Sequence, residues 1–118
     1  MIIGIGVDAV QLSRFETKLG ENQKLAKRLF TPAELEAPIR TLAGRFAAKE
    51  ALIKALSGAS GLEWQGMQVL KEDSGKPVLQ LNGKTAEIAA AAGVQNIHLS
   101  ISHDGDMAIA FVIAEGGA

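Results

Sequence analysis

Two carboxylates and a lysine have the types and spacing to do chemistry. Asp8 ends the glycine-spaced stretch IIGIGVD, and Glu50 and Lys54 lie four apart in RFAAKEALIKA, residues 45–55. That run has no Gly or Pro and is built largely from Ala, Leu, Lys and Glu. It reads as a helix on which Glu50 and Lys54 share a face, one turn apart. Arg45 and Lys49 pair in the same way on a different side, giving two narrow charged strips on an otherwise apolar cylinder. Such a helix is expected to be covered from more than one direction. A carboxylate held there needs a partner, either Lys54, a metal ion, or both. There is no cysteine and no paired histidine motif, so two carboxylates suit a hard cation with oxygen ligands. Magnesium held by so few keeps positions open for water and phosphate oxygens. Arg45, Lys49, Lys54 and Lys76 offer charge to a polyanionic ligand, as phosphoryl transfer requires. The residues by themselves point to a magnesium and phosphate-ester site, against the plainer alternative of a buried helix with one intrahelical ion pair.

The elements that must position these groups follow from periodicity. Residues 2–10 read as a strand, with Ile3, Ile5 and Val7 on one face and Ile2, Gly4, Gly6 and Asp8 on the other. Two glycines beside Asp8 weaken a strand unless something approaches its backbone closely. They suggest either a floor cleared for a ligand, with Asp8 at its end, or a Gly-rich strand entering a turn. Residues 13–30 are helical with a break near Gly20, and carry Arg14, Lys18, Lys24, Lys27 and Arg28. That charge is either a solvated face or a docking surface for an acidic protein. Thr31-Pro32-Ala33-Glu34 is a capping box that opens a helix of about two turns, ended by Pro38; Thr41 is the expected cap of the next. Strands are expected at 64–70 and 78–81, with turn chemistry at 72–75, and a helix at 84–92. Residues 97–102 alternate cleanly, with His103 at the strand end and Asp104-Gly105 in a hairpin turn. Residues 107–114 are apolar on both faces and predict a fully covered strand. Ala108, Ala110 and Ala114 are small enough there for close packing across a subunit boundary.

At 118 residues the chain is one domain, and 47% hydrophobic residues against 21% charged hint at an apolar surface buried between subunits. Twelve basic against 13 acidic residues give a formal charge of −1, so bulk charge recruits neither nucleic acid nor membrane. The cysteine-free composition suits a reducing cytoplasm, and the opening residues lack a basic n-region or the length to span a bilayer.

At this point the motifs carry a resemblance. IGVD at 5–8 followed by FAAKEALIKA at 46–55 resembles the paired signature of the 4′-phosphopantetheinyl transferases. IIGIGVDAV, LAGRFAAKEA at 42–51, the SGKP turn and the SISHDGDMAIAFV ending follow the order of the short type, the holo-[acyl-carrier-protein] synthases, across essentially the whole chain. The resemblance implies an α+β fold, a small, mostly antiparallel sheet packed on a long central helix, assembled as a homotrimer with sites between subunits. It implies transfer of phosphopantetheine from coenzyme A to a serine of an apo acyl carrier protein in fatty-acid biosynthesis, releasing adenosine 3′,5′-bisphosphate. By the same likeness Asp8 and Glu50 hold magnesium, and Lys54 contacts phosphate and stabilises the leaving group. The serine proton goes to Glu50 or to a metal-bound water. Lys76, Ser102 and His103 bind the nucleotide end, Arg45 and Lys54 also contact coenzyme A, and Arg14 and Arg28 meet the acidic helix of the carrier. Residues 57–66 receive no assignment. The rivals are a non-catalytic oligomeric binding module and a metal-dependent phosphohydrolase.

Overall fold

In a computed structural model describing residues 1–117, β1 (Ile2–Gln11) passes directly into α1 (Leu12–Glu21). There follow α2 (Gln23–Leu29), α3 (Pro32–Leu35), α4 (Ile39–Ala55), a 3₁₀ turn at Trp64–Gly66, and the hairpin β2 (Met67–Lys71) and β3 (Pro77–Leu81). The chain ends with α5 (Gly83–Ala91), β4 (Val94–Asp104) and β5 (Met107–Gly116). The strands form two antiparallel sheets, β1-β5-β4 and the β2-β3 pair. This is the expected α+β class.

The 17-residue α4 lies on the inner face of the three-stranded sheet. The small residues there explain how it comes so close. A Cβ on Gly4 or Gly6 would overlap the carbonyl oxygens of Ala55 and Ala51. Opposite, Ala43, Ala47, Ala48 and Ala51 are fully buried, as are Ala108, Ala110 and Ala114. The floor expected to be cleared for a ligand is therefore cleared for the helix. The alanines of β5 pack within the chain, and not across a subunit boundary. With backbones this close, dispersion contacts are dense, and any added methyl forces a backbone shift.

The outer face of that sheet is different. Ile5, Val7 and Phe111 are 59%, 53% and 41% exposed, and cross-strand register sets Val7 beside Phe111 and Ala9 beside Ile109. Within one chain, then, β5 is covered on one face only, by α4. Three boundaries also move. Residues 64–66 curl into the 3₁₀ turn ahead of β2; α3 is a single turn; and α4 starts at Ile39, directly after Pro38, whose fixed φ suits the position before a helix. Between α1 and α2 the break falls at Asn22, whose side chain caps α2 through the Lys24 amide at 3.2 Å.

Candidate active site

Helix α4 divides the molecule's polar chemistry into three compartments. The first is sealed. Lys49, expected to offer charge to a ligand, is fully buried. Its ammonium donates to Glu34 Oε1 at 2.7 Å, Leu29 O at 2.6 Å and Trp64 O at 3.2 Å. A lysine has three such donors, and all are used. Glu34 in turn accepts from the Thr31 amide and the Val69 amide, both at 2.8 Å. Burial pulls the Lys49 pKa down, and Glu34 works against that shift. This pair is structural.

The second compartment opens on one flank of α4, a cavity of about 530 Å³ whose lining includes Asp8, Arg14, Lys18, Arg28 and Glu50. Asp8 points inward at the end of the glycine-bearing face of β1, and Glu50 comes from α4. Lys54 is not the intrahelical partner of Glu50. Its ammonium donates instead to Asp8 Oδ1 at 3.0 Å and Val7 O at 2.9 Å. Among the described residues Glu50 is left without an ion pair, and its carboxyl is pushed above the usual range. Burial is the larger cause, the Asp8 carboxylate adds to it, and Lys54 opposes both. Two carboxylates that line one solvent-reaching cavity, one raised in part by the other, form a donor set that fits a divalent cation with oxygen ligands. No group of three or more metal-ligating side chains occurs among the described residues, so such an ion would keep open positions.

Sequence reasoning missed the apolar wall of this cavity. Phe15 stacks on Phe46 at 5.3 Å between centroids, and Phe46 meets Trp64 at 5.6 Å. Nothing local in the sequence brings Trp64 to the two phenylalanines. Lys49 and Gln65 do, through their bonds to the backbone carbonyls of residues 27–30 and 64.

The third compartment lies on the opposite flank, a cavity of about 200 Å³ lined in part by Arg45, Gly75, Pro77 and His103. Arg45 Nη1 donates to Glu34 O at 2.9 Å, and His103 Nε2 contacts Arg40 O at 2.9 Å. Lys76 is exposed on the turn between Gly75 and Pro77. Ser102 and His103, adjacent in sequence, do not come together: strand alternation sends His103 inward and Ser102 to the outer face, opposite Ile109. In one chain, then, Asp8, Glu50, Lys54, Arg14 and Arg28 gather on one flank, and Arg45, Lys76 and His103 on the other.

Comparison with known proteins places this arrangement. The holo-[acyl-carrier-protein] synthase of Clavibacter michiganensis subsp. michiganensis is 52% identical over 118 residues, covering 100% of this chain and 99% of that one. The Plasmodium yoelii holo-ACP-synthase crystal structure superposes with a TM-score of 0.90 at 30% identity, covering 100% of this chain and 98% of the other. The Helicobacter pylori holo-[acyl-carrier-protein] synthase, crystallised in complex with coenzyme A, gives 0.83 at 31% identity over 94% and 99%. The sequence profile of the 4′-phosphopantetheinyl transferase superfamily matches residues 4–112. With that match over nearly the full length, the chain belongs to the 4′-phosphopantetheinyl transferase superfamily.

Proposed function

We propose that this protein transfers the 4′-phosphopantetheine group of coenzyme A to a serine of an apo acyl carrier protein, leaving adenosine 3′,5′-bisphosphate. The observation that carries the reading is the shared cavity of Asp8 and Glu50, rimmed by Arg14 and Arg28. Full-length relatives named for this activity support it. Asp8 and Glu50 would hold magnesium, which when bound supplies positive charge to the pyrophosphate oxygens. Lys54 is 53% exposed in its pair with Asp8. An ion pair that open is worth about 0–1 kcal/mol, so a phosphate oxygen draws the ammonium away at little loss, and Lys54 then steadies the leaving phosphate. The serine proton passes to Glu50, whose raised pKa suits an acceptor, or to water in the cavity. Phe15, Phe46 and Trp64 exclude bulk solvent from that side.

Arg45, Lys76 and His103 would take the nucleotide end. They line or border the other flank of α4, so a complete site needs the two flanks of different subunits. The uncovered apolar face of Ile5, Val7 and Phe111 supports a homotrimer that buries it. Ser102 shares that outer face and would join a site where a neighbour packs on it. Among the described residues no helix is long and apolar enough to cross a membrane. The cysteine-free composition fits work in the cytoplasm, supplying carrier protein to fatty-acid biosynthesis.

Intact-protein mass spectrometry tests this directly. An apo carrier incubated with the protein, coenzyme A and magnesium gains the mass of one phosphopantetheine, and a chelator abolishes the gain. No gain over several carriers, with the oligomer assembled, returns the protein to a binding module. Release of free phosphopantetheine without a protein acceptor would make it a hydrolase.

A further inference from the structure

The helix carrying Arg14 and Lys18 has no cap of its own. Gln11 precedes α1 and its side chain makes no capping bond. The first amides of α1 are instead met from the turn between β4 and β5, 93 residues further along the chain. Asp106 Oδ1 accepts from the Ser13 amide at 3.1 Å, Asp106 Oδ2 from the Ser13 hydroxyl at 2.6 Å, and Asp106 O from the Leu12 amide at 2.7 Å. The register places the turn there: Gln11 pairs with Met107, and Asp104 with Met107 on its other side. Asp106 thus stands just beyond the point where β1 becomes α1.

A carboxylate at this end satisfies orphan amides and meets the positive end of the helix dipole. Arg14 follows Ser13 directly and reaches the cavity of Asp8 and Glu50. Thr17 Oγ1 closes back on Ser13 O at 2.9 Å, so the first turn of α1 is held as a unit from Asp106. Neither Asp106 nor Ser13 lines the cavity.

We infer that Asp106 is a positioning residue for carrier docking: through Ser13 it fixes the first turn of α1 and so the direction of Arg14. The inference rests on the proposed transferase function. Losing the cap leaves the chemistry intact but lets Arg14 wander, so the effect falls on the carrier and not on coenzyme A.

The test is steady-state transfer by the full-length, assembled protein, varying carrier and coenzyme A separately. Asp106→Ala raises the carrier KM about three- to tenfold, with kcat at saturating carrier and the coenzyme A KM unchanged. Asp106→Asn keeps an acceptor for the Ser13 amide and stays within about twofold of wild type. Hydrogen exchange shows the α1 first-turn amides opening faster in Asp106→Ala while the sheet stays protected. An Asp106→Ala variant whose kcat falls with both KM values unchanged has only lost active fraction, and that result overturns the inference. So does a carrier KM equal to wild type. A wild-type protein that labels no carrier brings down the functional reading and this inference with it, an outcome distinct from a failure of the variant alone.

Discussion

Lys49 and Glu50 follow one another on α4, yet one is enclosed and the other open. Lys49 spends its three donors on Glu34, Leu29 and Trp64 inside the core. Glu50 faces a cavity beside another carboxylate, with Lys54 turned toward Asp8. The closed cluster has no capacity left for a ligand. The open one is frustrated as it stands, because two like charges share a partly buried wall and the Lys54 ammonium is bonded to Asp8 and the Val7 carbonyl, not to Glu50. A protein holds such a group where something else is meant to complete it. Charge on a helix is therefore a poor guide to chemistry until its bonding is counted.

Substitutions separate the two clusters. Lys49→Met should be the largest blow, lowering stability by about 3–5 kcal/mol because Glu34 is left buried and unpaired. Urea titration measures it, and Lys49→Met with Glu34→Gln should recover part of the loss. A mild effect of the single variant would mean that the pair is not closed. Glu50→Gln should leave the fold intact and cut kcat/KM by at least about a hundredfold. Turnover near wild type would remove Glu50 from the catalytic set. Arg14→Glu should raise the carrier KM by at least about tenfold while sparing coenzyme A, and equal losses for both substrates would take Arg14 off the docking surface.

The smallest effect concerns pH. The folded pKa of Glu50 is raised, so the native state binds the extra proton and Glu50 favours folding most when protonated. That contribution is present below the ordinary carboxylate pKa and is lost as pH rises through the folded value. Without metal, Glu50→Gln should be the more stable protein at neutral pH, by a margin that shrinks on acidification. Added magnesium should raise the melting temperature of wild type and not of the variant. A margin independent of pH would break the account of Glu50 as a frustrated carboxylate.

How far the sequence could be read follows the range of the interactions. The body of α4 and the capping box at Thr31 were legible because their causes lie within four residues. That Arg45 and Glu50 lie on different sides of α4 was legible too, since they face different cavities, although Lys49 parts from Arg45 and enters the core. The partners were not legible. The i,i+4 rule offered Glu50 to Lys54, and it lost to Asp8, 46 residues away, joined by the Val7 carbonyl. Lys49 looked like a ligand contact because Glu34 was already explained as a capping residue, yet the Oε1 that accepts from the Thr31 amide accepts from Lys49 as well. Gly4 and Gly6 announced a close approach without saying what approaches. Ser102 and His103 were read as neighbours in one site, although the strand period opposes them.

The strand order has a consequence in time. Among the described residues β1 pairs only with β5, so the strand bearing Asp8 and the exposed Ile5 and Val7 must wait for β5 to be made. At about 5–20 residues per second, roughly five to twenty seconds separate the synthesis of β1 from that of β5. Throughout that interval α4 can form from local contacts, but the floor it settles on is missing its middle strand. The nascent chain carries a sticky edge from the synthesis of β1 to that of β5, and the sheet that holds Asp8 against α4 is complete only when β5 arrives.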